Sequence, residues 1–242
     1  MSDDIQLLTF AASLGLGILL ALWLASSASN SAKTRIVERL AISILYLGTA
    51  SALLVVALAV VRRSAEFPAL APIIAAFFMD GIVLGTAVTS PGVFTGVFKS
   101  QHDLRDVIFS PSVVRANRYL TASYFLMVGL FKWITDAEYS FFQASGYNRT
   151  FYIFICAFEC LCAVGLLLRI TVLPVVLALS VEMVGAVYTH VHNYFAKGLP
   201  DPFGNSLDAF RMLILLAYIA VAALQQNAPV LSGKPRYTGE AF

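Results

Sequence analysis

Long apolar runs alternate with short polar segments along most of this chain. Each run holds about 20 residues, the length that a helix needs to cross about 30 Å of hydrocarbon. The pattern therefore predicts seven membrane-spanning helices. They cover Ile5–Ser26, Leu40–Val61, Ala69–Val88, Tyr119–Thr135, Thr150–Leu168, Ile170–His190 and Ser206–Leu224.

The composition agrees with this pattern. Only 12% of the residues are charged and 59% are hydrophobic, whereas soluble domains carry about 25% charged residues. We therefore expect an all-α integral membrane protein in contact with the lipid bilayer. The net charge of +2 comes from scattered basic residues, so nucleic acid is not an expected partner.

The polar segments predict how the chain is oriented and divided. Short loops on the cytoplasmic side of a membrane are enriched in lysine and arginine. If the N-terminus is outside and the C-terminus is in the cytoplasm, ten of the 16 lysines and arginines lie on the cytoplasmic side. The longest loop, Lys99 to Arg118, would be cytoplasmic. We divide the chain into three N-terminal spans (1–114), a four-helix part (115–225) and a loose tail (226–242). The short loops are typical of a bacterial inner-membrane protein.

Ionisable side chains lie inside several predicted spans. Glu159 is at the middle of the fifth span, Glu182 is within the sixth, and Lys132 is one turn from the end of the fourth. A charge at the centre of a spanning helix costs about 2.5–3.5 kcal/mol on insertion scales, so such residues usually face other helices or a wet cavity. We expect Glu159, Glu182 and Lys132 to meet inside the protein.

Helical spacing extends this candidate site toward the outer surface. Glu182 and Asn193 lie on one face of their helix, because three- and four-residue steps return to the same side, and His190 flanks that face. We expect Glu159, Glu182, Lys132 and His190 to carry the chemistry, with His190 as the proton entry point. Five further residues are expected to bind the substrate, namely Arg211, Asp208, Cys156, Asn193 and Tyr188.

The same charges permit a functional and a purely structural interpretation. In the first, burial favours a neutral carboxyl group and a nearby cation favours its ionised form, so the site exchanges protons with a bound molecule. In the second, two ion pairs, Glu159 with Lys132 and Asp208 with Arg211, only fix how the helices pack. Asp80, inside the third span, would form an interhelical hydrogen bond or line the same cavity.

A metal site is a weaker alternative. His190 and His192, with Cys156, are residue types that bind copper or zinc. However, rings two residues apart on a helix point about 200° away from each other, so we expect no metal. The three cysteines are expected to be packing residues, with a redox relay as the alternative. No nucleotide-binding or haem-attachment motif is present.

Two short motifs resemble the DoxX family of small four-helix membrane proteins. The fourth span ends in Gly129, Leu130, Phe131 and Lys132, a Gly-x-x-Lys pattern. The fifth has Glu159 followed by small residues and then a Gly-x-x-x-Arg pattern from Gly165 to Arg169. The resemblance covers residues 115 to 225, so the last four spans are expected to form a DoxX-like bundle. The cysteines around Glu159, the additional acid Glu182 and the three N-terminal spans depart from the family pattern.

The resemblance implies a function in a redox system. DoxX-like proteins resemble membrane subunits of quinone-linked oxidoreductases, as in thiosulfate oxidation, or accessory proteins of such systems. A quinone or a small lipid-soluble or sulfur substrate would bind near Glu159 and Glu182, and a peripheral redox protein would be a partner. The alternatives are a proton-coupled transporter of a small solute, or a non-catalytic scaffold that holds a peripheral enzyme through the Lys99–Arg118 loop.

Overall fold

A computed structural model describes residues 3–25, 31–62, 70–89, 107–136, 138–168, 171–199 and 203–231. Within these ranges the chain forms eight α-helices and no strand, which agrees with the predicted all-α class. The helices are α1 (Asp3–Ala25), α2 (Ser31–Arg62), α3 (Leu70–Thr89), α4 (Pro111–Thr135), α5 (Tyr139–Ser145), α6 (Arg149–Leu167), α7 (Val172–Lys197) and α8 (Phe203–Leu231).

Four of these helices are long and apolar enough to cross a membrane. The qualifying segments are Thr34–Ala57, Arg149–Leu167, Val172–Lys197 and Leu207–Gln225, and two shorter apolar stretches cover Ala11–Trp23 and Ile73–Val88. Large apolar side chains remain exposed on these helices, for example Leu161 and Leu177. Exposed apolar surface of this extent is typical of a protein in contact with lipid. The described part of the chain is therefore all-helical, with the composition and surface of a membrane protein.

The start of α4 differs from the prediction. The helix begins at Pro111 and not at Tyr119, because the side chain of Ser110 accepts a hydrogen bond from the Val113 amide (3.2 Å) and proline fits the first helical position. Residues 111–118 of the predicted loop are thus helical, and the boundary predicted near residue 115 falls within α4. The remainder of that loop up to residue 106, and Arg169, lie outside the described residues.

Other boundaries differ as well. α2 begins at Ser31 and not at Leu40, and α7 continues past His190 to Lys197. α8 continues to Leu231, so the first residues of the predicted tail are helical, and residues 232–242 lie outside the described residues. The short helix α5 was not predicted. It begins after two residues with left-handed backbone conformation, Asp136 and Glu138, and ends at Gly146, which has a φ of 96°.

The helices α4, α6, α7 and α8 contact one another in a closed ring. α2 and α3 pack against the ring through α4, α3 also contacts α8, and α1 packs mainly on α3. One continuous cluster of buried apolar side chains runs through these contacts, from Val37 in α2 to Ala222 in α8. The three N-terminal helices and the ring are therefore joined through α4 and α8.

Glycines allow α1 and α3 to approach closely. A Cβ atom on Gly17 would lie 2.2 Å from the carbonyl oxygen of Phe78, and one on Gly81 would lie 2.2 Å from the carbonyl oxygen of Leu14. Small residues of this kind let helix backbones come together within a membrane, where packing rather than the hydrophobic effect drives association. Gly15, two residues from Gly17, has open space around it.

We predict that Gly17→Ala destabilises the protein and that Gly15→Ala does not. The methyl group at position 17 would collide with backbone atoms, which cannot rotate away, so α1 and α3 must separate. At position 15 the methyl group meets nothing within 4 Å, and alanine favours a helix over glycine by about 1 kcal/mol. Thermal unfolding in detergent measures both, and an equal loss of melting temperature in the two variants would contradict the packing described here.

Candidate functional site

A cavity of about 270 Å³ lies where α4 ends and α6 begins, between these helices, α5 and α7. Its walls include all four residues that the sequence analysis selected for chemistry: Lys132, Glu159, Glu182 and His190. The other lining residues are Glu138, Phe141, Phe142, Tyr147, Phe151, Ile155, Val181, Met183, Gly185, Ala186 and Thr189. The structure therefore brings three carboxyl groups, one amine and one imidazole to the same aromatic-lined space.

The central contact is the ion pair between Lys132 of α4 and Glu159 of α6. The Lys132 Nζ atom donates a hydrogen bond of 2.9 Å to Glu159 Oε1, and Glu159 is only 1% exposed. Glu138 lies 3.5 Å from the same amine on its exposed side. The pair anticipated from the sequence is present.

Gly129 makes this ion pair possible. A Cβ atom there would lie 2.9 Å from both the carbonyl oxygen of Cys156 and the sulfur of Cys160, and 3.1 Å from the Cβ atom of Glu159. Only glycine allows α4 and α6 to cross so closely. Lys132 is three residues further along α4 and so lies on nearly the same side of the helix. This gives the Gly-x-x-Lys motif a physical reason.

Neighbouring hydrogen bonds hold the end of α4 in place. The Tyr152 hydroxyl, buried in α6, donates to the carbonyl oxygen of Lys132 (2.8 Å). Arg149 forms an exposed ion pair with Asp136 (2.6 Å) and lies over the ring of Tyr139. These contacts fix the backbone on both sides of the cavity mouth.

The second acid, Glu182, lies opposite Glu159 on α7. Their carboxyl groups are close enough to interact directly, and Lys132 acts on both. One oxygen of each, Oε2, accepts no hydrogen bond within the described part of the chain. Two buried carboxylates side by side repel each other, and a proton held between them removes that repulsion. The arrangement of two acids and one amine is therefore suited to holding one proton.

The short helix α5 covers the cavity, and α7 holds it in place. Asn193, which is 1% exposed, donates to the hydroxyl of Ser145 (2.6 Å), and Lys197 donates to the carbonyl oxygen of Ser145 (3.1 Å). The hydroxyls of Tyr147 and Thr189 lie 3.3 Å apart. Asn193 was expected to bind the substrate, but it does not line the cavity and instead supports this cover.

Aromatic rings form the cover itself. Phe141 stacks on His190 with ring centroids 4.4 Å apart, and Phe142 contacts the rings of Tyr152 and Phe151. Composition alone suggests an ordinary interfacial belt for such residues. Sequence spacing did not show that they close a cavity, because they belong to a seven-residue helix whose position depends on contacts with α6 and α7.

The remaining predicted binding residues lie elsewhere. Cys156 is buried but does not line the cavity, and Tyr188 is 67% exposed and stacks on His192. Asp208 and Arg211 pair with each other, as anticipated, but they belong to a separate cluster with Tyr124. Arg211 was expected to bind the substrate, and instead it faces α3 and α4 from its own position on α8.

The described residues contain no group of three or more histidine, cysteine, aspartate or glutamate side chains that could hold a metal ion. His190 faces the cavity and stacks on Phe141, whereas His192 is exposed beside Tyr188. The two imidazoles therefore have different surroundings. This agrees with the argument from helical spacing.

Comparison with protein-family models, with curated proteins and with solved structures finds no match. The resemblance to the DoxX family therefore remains a prediction from the two short motifs.

We predict that Lys132 and Glu159 are energetically coupled. Removing one partner of a buried pair strands the other charge and typically costs about 3–5 kcal/mol, whereas replacing both with apolar groups is often nearly neutral. Lys132→Met and Glu159→Met should each lower the free energy of unfolding by more than the double variant does. Denaturation in mixed micelles measures all three proteins.

The exposed pair of Arg149 and Asp136 is a suitable control, because both side chains are about half exposed (45% and 52%) and exposed pairs contribute little. The same comparison of two single variants with the double variant, made with Arg149→Met and Asp136→Met, should show almost no energetic coupling. Strictly additive losses for Lys132 and Glu159 would show that their ion pair does not stabilise the bundle.

Proposed function

We propose that this protein is the membrane component of a redox system and that its cavity binds a small lipid-soluble carbonyl compound, with a quinone headgroup as the best candidate. The observation that supports this most directly is the meeting of Lys132, Glu159, Glu182 and His190 at a space otherwise walled by aromatic rings. Ligand sites commonly combine apolar and aromatic walls with a few polar groups of this kind.

The walls suit a flat ring with polar oxygens. Phe141 and Phe151 present aromatic surface to the cavity, and Lys132 supplies N–H groups. A carbonyl oxygen accepts a hydrogen bond from the Lys132 amine, while the ring stacks on the aromatic side chains. At about 270 Å³ the cavity is slightly below the usual range of about 300–1,000 Å³, so we expect a headgroup to enter and an attached chain to remain outside.

The acids give the site a role in proton transfer. Reduction of a quinone takes up protons together with electrons, and oxidation of a quinol releases them. The carboxyl groups of Glu159 and Glu182 would hold a proton next to the ligand oxygen, and His190 at the cover would exchange it with the outside. Lys132 holds Glu159 in position for this step. The electrons would come from a peripheral redox protein.

The membrane arrangement is part of the same proposal. Seven spans with the N-terminus outside and the C-terminus in the cytoplasm would place the cavity near the outer face of a bacterial inner membrane. The DoxX-like motifs support the redox assignment, because Gly129, Lys132 and Glu159, which carry them, are the residues that form the α4–α6 contact at the cavity.

We predict that the purified protein retains quinone, detectable by extraction and mass spectrometry, and that Gly185→Leu loses most of it. Gly185 lines the cavity and a Cβ atom there meets nothing within 4 Å, so a leucine fits but occupies the ligand space. Glu159→Gln and Glu182→Gln should bind added ubiquinone-1 more weakly, since the first removes the carboxylate that holds the Lys132 amine in place and the second removes a carboxyl group that would hold the proton next to the ligand oxygen.

Gly15→Leu is the matched control, because Gly15 also has open surroundings but lies on α1, which contributes no residue to the cavity wall. It should retain quinone like the unmodified protein. If none of the proteins contains or binds a quinone, the redox assignment is wrong. Solute uptake by reconstituted vesicles that depends on Glu182 would then favour the proton-coupled transporter, and loss of a partner without any binding defect would favour the scaffold.

A further inference from the structure

A second group of charged residues lies between α3, α4 and α8 and does not line the cavity. Its members are Asp80, Tyr124, Asp208 and Arg211. The Tyr124 hydroxyl donates to one oxygen of Asp208, and the Arg211 guanidinium donates to the other, from Nε at 3.1 Å and from Nη2. The guanidinium also lies 5.1 Å from the ring of Phe77, one helical turn before Asp80.

Asp80 is the unusual member. It is 1% exposed, and neither carboxyl oxygen has a hydrogen-bond partner among the described residues. Arg211 is 2% exposed, and its Nη1 atom likewise has no acceptor in the described ranges. Arg211 and Asp208 are close enough to Asp80 for their charges to act on it. Thus a buried acid without a donor and a buried donor without an acceptor belong to the same cluster.

The charge count shows what this cluster lacks. It contains two carboxyl groups and one guanidinium, and Arg211 is engaged with Asp208 through two nitrogens. An ionised Asp80 would therefore be a buried charge without any hydrogen bond, which costs several kcal/mol. One added positive charge at Asp80 would remove this cost. Only two carboxyl groups are available, too few oxygen ligands for a typical metal site, which favours a proton.

We propose that Asp80 is the proton-binding residue of a second intramembrane site, separate from the cavity. Asp80 holds the proton while Arg211 is paired with Asp208. When the proton leaves to water, the carboxylate becomes an acceptor for the Nη1 atom of Arg211. The charged and titratable groups around Asp80 are Arg211 and Asp208, both on α8. Tyr124 on α4 donates a hydrogen bond to Asp208. Proton binding thus alters the contact between α3 and α8.

Infrared spectroscopy tests this proposal directly, because a protonated carboxyl group has a C=O band that an ionised one lacks. The unmodified protein in detergent should show a band that shifts in D2O and is lost in Asp80→Asn. Asp208→Asn should lose it too, since Arg211 is then released to pair with an ionised Asp80. Asp136→Asn is the control, because Asp136 is exposed and paired with Arg149, so its replacement should leave the band unchanged.

Stability gives a second readout. Asparagine resembles a protonated aspartate in shape and charge, so Asp80→Asn should melt at the temperature of the unmodified protein or higher. A lower melting temperature, together with no change of the band in Asp80→Asn, would show that Asp80 is an ionised structural partner of Arg211 and would overturn the proposal. Loss of the band when sodium chloride replaces choline chloride would also overturn it, in favour of a metal cation.

Discussion

The fold of this protein depends on placing a lysine and a glutamate against each other inside a helical bundle. Lys132 and Glu159 are both buried, and each would be costly in lipid without the other. Their contact requires α4 and α6 to cross at Gly129, where no side chain fits. The position of these two helices then determines where α5 and α7 can close the remaining space. The cavity is thus a consequence of satisfying one ion pair.

α4 is a poor candidate for a membrane span by hydropathy, yet it lies at the centre of the bundle. α4 contains Arg115, Asn117, Arg118 and Lys132 and is not among the four apolar candidates for membrane spans. Yet it contacts α2, α3, α6 and α8. Asn117 and Lys132 are buried by the surrounding helices, and Arg115 and Arg118 are partly buried. Low hydropathy in such a segment therefore indicates a position inside the bundle, which a sliding-window average alone does not show.

Sequence reasoning predicted the helical class from the apolar runs, and four polar residues of the cavity wall from the cost of charge in lipid and from helical spacing. Glu159, Glu182 and Lys132 were identified because they lie inside apolar runs, and His190 because it flanks the helix face that carries Glu182. The cover was missed because α5 is too short to have a periodic signal of its own. The position of Arg211 was also missed, because spacing along α8 does not determine toward which neighbouring helices that helix directs its charged face.

The two charged sites are similar in that carboxyl groups outnumber cations in each, but they differ in access. In the cavity Glu138, Glu159 and Glu182 lie around the amine of Lys132, with His190 beside them, and in the second cluster Asp80 and Asp208 lie around the guanidinium of Arg211. Glu182 is only half-buried and faces a cavity with room for a small ring, whereas Asp80 is closed in by α3 and its neighbours. The first site therefore has room for a small molecule, whereas the proposed occupant of the second is a proton. Both sites include a residue of α4. Lys132 belongs to the cavity and Tyr124 to the second cluster, and the two residues are about 12 Å apart along the helix. A change of charge at either site therefore acts on the same helix.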